Sequence, residues 1–232
     1  MIIDRTQAPP YQIIKKVTIP KANTITLDNG LLLHVINIGD QPVIRLECLL
    51  ETGSWVEEVE GTSYFAIKML IEGTEAKSGA QLSDAFESIG AFTDFSHSAD
   101  RLGITVYSLK RNLPTILELV KEMITTASFP EKEFEDLRNI TLQNLKVSQE
   151  KTSWLASTGS RQALFGKKHP YGRVQSESSI EQLQVADVRK YYEHFIKHGR
   201  FRILASGQVG DEEITAINQH FGQLRDLDAP YE

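Results

Sequence analysis

The side chains able to do chemistry in this 232-residue chain are few, and the most suggestive ones sit in Gly61–Thr74, GTSYFAIKMLIEGT. Helical spacing puts Tyr64, Ile67, Lys68 and Ile71 on one face, and Phe65, Ala66, Met69 and Leu70 on an apolar side suited to a core. Glu72-Gly73-Thr74 closes the predicted helix. A second candidate is the pair His194 and His198, whose i, i+4 spacing can hold a metal. No carboxylate lies between them to act as a base, and His198 precedes Gly199 at a helix end, where a basic side chain complements the dipole. A solvated helix end is the simpler reading. His169-Pro170-Tyr171-Gly172 reads as a turn, and Lys190-Tyr191-Tyr192 as part of an amphipathic helix. Phosphate-binding, dinucleotide, nucleophile-elbow and C-x-x-C motifs are absent from the sequence.

Composition narrows the classes further. Net charge is −6, with 24% charged and 41% hydrophobic residues and both signs interspersed, which gives no general attraction for nucleic acid or an anionic membrane. No run approaches the ~20 apolar residues of a spanning helix. The opening MIIDRTQAPPYQIIKK has no apolar stretch of signal-peptide length, so a cytoplasmic location is expected. The single cysteine, Cys48, excludes an internal disulfide and fits a reducing compartment; within VIRLECLL it reads as a small buried hydrophobe.

The elements that must position these residues follow in order. Residues 1–23 read as an extended arm and 225–232 as the start of a linker. Thr24–Leu27 and Leu31–Asn37 flank Asp28-Asn29-Gly30, a strong hairpin signal. Val43–Thr52 is a strand so apolar that cover on both faces is expected. Ser78 with Gln81 caps a helix reaching Ile89, and Ala91–His97 and Leu102–Leu109 form paired strands. Helices are predicted over Leu113–Ala127, Glu131–Gln149, Ser153–Leu164, Ala186–Lys197 and Glu212–Phe221, with helical turns at Ile180–Leu183 and a strand at Phe201–Ser206. Strands early and helices late imply an α+β two-layer sandwich, a mostly antiparallel sheet covered by helices, spanning residues 24–224.

Read together, LDNGLLLHVI, ETGSWVEE, GTSYFAIKMLIEGT, GAFTDFSHSADRLGITVYS, FGKKHPYG and SGQVGDEEI stand in an order that resembles the N-terminal domain of the pitrilysin, insulin-degrading enzyme and mitochondrial processing peptidase family of zinc metallopeptidases. The resemblance runs from about Thr24 to about Leu224 and implies that family's metallohydrolase fold. Active members carry H-x-x-E-H on this helix, with two histidine ligands, a glutamate base, and a third ligand seven residues after the Glu of a Glu-Arg pair. On this sequence the ligands fall on Tyr64 and Lys68 and the base on Ile67. The Glu-Arg pair becomes Leu137-Arg138, placing the third ligand at Asn144. All four positions depart from the pattern.

Deprotonating Lys68 from a reference pKa of ~10.4 costs about 4.6 kcal/mol at pH 7, and Tyr64 about 4 kcal/mol more. That cancels much of the ~10–16 kcal/mol a good zinc site supplies. Asn144 offers a neutral amide, and Ile67 cannot take a proton. The resemblance therefore implies a non-catalytic member with no zinc cofactor, paired with a zinc-bearing homologue or a second domain of like fold. Its cargo would be an unfolded peptide held by strand addition. Two alternatives stand beside it: a metallopeptidase with ligands displaced to His97, His169 or Glu72, and a structural subunit without peptidase role. Lys68 is expected to meet a carboxylate or Asn144 across the cleft.

Overall fold

The computed structural model describes residues 6, 11, 13 and 17–224. Most of the arm and all of 225–232 lie outside them. Among the described residues six strands form one mixed sheet: β1 (Asn23–Thr26), β2 (Leu32–Asn37), β3 (Val43–Leu50), β4 (Phe92–His97), β5 (Leu102–Leu109) and β6 (Phe201–Gly207). Their spatial order is β1-β2-β6-β3-β5-β4, with only β2–β6 parallel. Eight described helices accompany the sheet: α1 (Thr62–Lys68), α2 (Gly79–Ser88), α3 (Leu113–Thr126), α4 (Glu131–Gln149), α5 (Thr152–Phe165), α6 (Glu177–Gln182), α7 (Val185–Tyr191) and α8 (Asp211–Phe221). None of them is long and apolar enough to cross a membrane.

Local chemistry explains the boundaries. Asn29 turns the first hairpin, with Gly30 at φ 82°, and its amide donates to the carbonyl of Phe221, the last residue of α8 (Asp211–Phe221), and to that of Leu224 beyond it. Ser78 and Gln81 form the reciprocal cap expected at α2. α4 begins after Pro130 with Glu131 and Glu133 in its first turn, where the helix dipole favours negative charge.

The core lies on one face of the sheet. Leu33, Val35, Ile44, Leu46, Leu50, Leu102, Ile104, Val106 and Ile203 meet Phe65, Leu82, Leu117, Met123, Val188 and Ile217 from the helices. Cys48 is 1% exposed there, and burial pushes its thiol up to about 12, an inert apolar filler. β3 corrects the expectation of cover on both faces. Its buried residues alternate with Arg45, Glu47 and Leu49, and the other face carries an Arg45–Glu47 ion pair at 2.6 Å.

A second correction concerns the helix predicted over Ala186–Lys197. α7 gives way to a π-helical stretch, Tyr192–Lys197, so His194 and His198 no longer stack as i, i+4 neighbours of an α-helix. His198 Nδ1 instead lies 2.7 Å from the Glu193 carbonyl, and His194 packs edge-on against Phe195.

β6 is the last strand in sequence, yet it is inserted between β2 and β3 and completes the sheet. It leaves through Gly207 at φ 112°, where an added Cβ would stand 2.2 Å from the Val43 carbonyl oxygen. Gly207→Ala should lower stability by about 2–4 kcal/mol, read as a lower urea midpoint with unchanged m-value. A change under about 0.5 kcal/mol would show that the strand exit tolerates the side chain.

Candidate functional site

The first turn of α1 is held by a buried carboxylate. Gly61 precedes the helix at φ 95°, and the Glu57 side chain, 8% exposed, accepts hydrogen bonds from Ser63 N (3.2 Å) and Ser63 Oγ (2.7 Å). Arg173 Nη1 stands 3.6 Å from the other oxygen of Glu57. A serine hydroxyl has one proton, here given to Glu57, so Ser63 Oγ must accept from His97 Nε2, 2.9 Å away. This fixes the neutral imidazole with its proton on Nε2.

His97 as a residue stays exposed, and the partial desolvation of its ring comes with its bond to Ser63 and the edge-on Tyr64 ring. That desolvation, with the positive charge of Lys68, holds the imidazole down at about 4.

The four positions singled out from the sequence separate in space and in character. Ile67 is 0% exposed and belongs to the core, so it leaves the shared face assigned to it. Helical geometry ends at Lys68, and a tighter 3-10 turn over Met69–Ile71 follows, which moves Ile71 off the same line. Tyr64 and Lys68 remain half-buried. Lys68 does not meet a carboxylate or Asn144: its Nζ donates to the backbone carbonyl of Phe95 at 2.6 Å. Asn144 is exposed on α4, a helix with only Phe134 and Thr141 buried. Arg138 pairs with Glu135 and lies 5.6 Å over the Phe134 ring.

This donor set does not fit zinc. An ammonium acting as hydrogen-bond donor has no lone pair, and a buried isoleucine has neither a ligand atom nor a proton to exchange. Nor do the displaced candidates converge. His97 is bound to Ser63, and His169 Nδ1 accepts from Tyr171 N. The Glu72 carboxyl is raised by burial and by Glu133 and Asp136. Among the described residues no three His, Cys, Asp or Glu side chains are grouped to hold a metal.

What the sequence reading missed is the cavity beside α1, about 430 Å³, bounded by Glu60, Tyr64, Arg161, Tyr171 and Gln175. The HPYG segment, read as a turn, is pinned over it. His169 stacks on Phe165, Trp55 packs edge-on to both His169 and Tyr171, and the Tyr171 hydroxyl reaches both carboxylate oxygens of Asp100. Glu60 Oε1 and Gln175 Nε2 are buried there without a protein partner, and burial raises the Glu60 carboxyl. The recurrence of aromatic residues at Trp55, Phe165 and Tyr171 was the one signal available, and only folding brings them together.

The site is thus built on a helix-covered mixed sheet, with a short helix packed beside an edge strand and a cavity at its start. Residues 39–170 match the family described as Insulinase (Peptidase family M16), and the chain belongs to that family. It is 23% identical over 219 residues to the mitochondrial cytochrome b-c1 complex subunit 1 of Bos taurus, covering 89% of this chain and 44% of that protein. It is 24% identical over 225 residues to the mitochondrial-processing peptidase subunit beta of Mus musculus, covering 94% and 44%. The chain thus spans less than half the length of these curated relatives. The crystal structure of a peptidase M16 inactive domain from Pseudomonas fluorescens shares the fold at TM-score 0.78 and 21% identity, over 88% of this chain and 51% of that one.

The charge relation between Lys68 and His97 has a measurable sign. The folded imidazole sits below its unfolded value of ~6.5, so its contribution to stability is complete above that pH and is lost as pH falls toward 4. In an NMR titration His97 should have its midpoint near 4, and Lys68→Met should move it upward. An unmoved midpoint would mean the ammonium does not act on the ring.

Proposed function

We propose that this chain is a non-catalytic M16 domain that forms part of a peptide-holding chamber with a zinc-bearing homologue or a second domain of like fold. The observation that carries the reading is Lys68. In a family whose active members bind zinc at this position, its ammonium donates to Phe95 and Ile67 is sealed in the core. The Glu57–Ser63–His97 chain holds α1 against β4, so the fold keeps its form around a face that lacks the zinc chemistry.

The domain would contribute binding surface. β4 is an outer strand of the sheet, and an extended peptide held by main-chain bonds along such an edge needs little sequence specificity. The likeness to proteins named as subunits, and to a solved M16 inactive domain, supports a partnered, non-catalytic role. The likeness to a cytochrome b-c1 subunit favours a second reading, a structural subunit with no peptide cargo. Co-purification with a zinc-bearing homologue, rather than with a larger assembly devoid of peptidase, separates the two.

Mixing the purified chain with such a homologue should give a complex on size-exclusion chromatography and higher peptidase activity than the homologue alone. Activity equal to the homologue's, with no complex, would sink the proposal. Incubated with zinc and desalted, the chain alone should retain far less than one equivalent by elemental analysis; a stoichiometric ion would contradict the loss of the site.

A further inference from the structure

β4 lies at one end of the strand order, with β5 as its only neighbour in the sheet among the described residues. The register shows which of its backbone groups face the open side. Ser98 N donates to the Arg101 carbonyl, so 98 and 101 are a hydrogen-bonded pair. Alternation along the antiparallel ladder then makes Ser96–Gly103 and Asp94–Thr105 bonded pairs, and Phe95–Ile104 a non-bonded one. The peptide groups of Thr93 and Phe95 therefore point away from β5, into the space an added strand would occupy.

Lys68 stands at that edge. Its Nζ, 2.6 Å from the Phe95 oxygen, takes the outward acceptor that an incoming strand would meet with a backbone N–H. The ammonium carries three donors, of which Phe95 uses one, and no described carboxylate pairs with it. It is half-buried, and the imidazole beside it, His97, is held neutral. A strand pairing at Thr93 would thus reach a second donor where a donor is due. Complementarity at that point asks for an acceptor, and a half-buried cation without a counter-ion is best matched by an anion.

We infer that Lys68 makes the β4 edge selective for extended peptides that place a carboxylate against α1, from an Asp or Glu side chain or from the chain terminus. The cation that would sit here in a catalytic relative is replaced by a fixed ammonium, and hydrolysis by recognition of an acidic group. This inference rests on the peptide-holding role proposed above.

The test is fluorescence anisotropy of labelled extended peptides on the full chain at low salt. One central residue is varied as Glu, Gln or Lys, each with a free or amidated C-terminus. The Glu peptide should bind about tenfold more tightly than the Gln peptide, the Lys peptide more weakly still, and salt should erode the difference. Lys68→Met should abolish the Glu–Gln ratio and Lys68→Arg should keep most of it, with near-ultraviolet circular dichroism confirming that both variants fold. An advantage that follows the free terminus rather than the Glu assigns the carboxylate to the chain end. Equal binding of all peptides to the wild type overturns the inference and leaves the peptide-holding role standing. Tighter binding of every peptide by Lys68→Met shows that the ammonium only blocks the edge and also overturns it. No binding by any peptide removes both.

Discussion

The buried carboxylate of Glu57 is the interaction on which the rest of the site depends. A charge this deep is tolerated only when its oxygens are matched. The partners come from three separate parts of the chain: Ser63 at the start of α1, His97 through Ser63, and Arg173 beyond the HPYG segment. Satisfying one carboxylate therefore fixes where α1 begins, how close β4 comes to it, and which loop closes the cavity. Removing Ser63 would leave the buried Glu57 carboxylate without its two closest donors.

That network ties α1, β4 and the segment after HPYG together through side chains alone. None of the hydrogen bonds around Glu57 involves a metal, and the four positions picked out by motif spacing hold side chains with their own local contacts. Ile67 is core, Tyr64 packs edge-on against Phe65 and His97, and Lys68 is tied to the backbone of β4. Asn144 lies on a helix that buries little of itself, where a neutral amide costs nothing in solvent. On this M16 framework the four positions hold ordinary packing and hydrogen-bonding solutions.

The side chains at these positions decide what this face of α1 presents. A zinc ion polarises a carbonyl and a bound water. A protonated lysine held by a main-chain oxygen presents hydrogen-bond donors and a single positive charge. Beside it lies a walled cavity with one unmatched carboxylate oxygen and one unmatched amide.

The sequence by itself determined the local elements and the family. Asn29-Gly30 marked the first turn, Ser78 and Gln81 the start of α2, and α4 runs over Glu131–Gln149 as its pattern indicates. These are decided by neighbours in the chain, so they are readable from it. The four positions Tyr64, Ile67, Lys68 and Asn144 were picked out by motif spacing alone, which needs only the sequence. Only the tertiary structure decided that β6 enters between β2 and β3, that β3 is covered on one face, and that Ile67 belongs to the core while Lys68 does not. Helical periodicity gives the direction of a side chain and is silent on what stands opposite. Lys68 reaches a backbone carbonyl, and every residue has one, so no pattern of side chains could have named Phe95 as its partner.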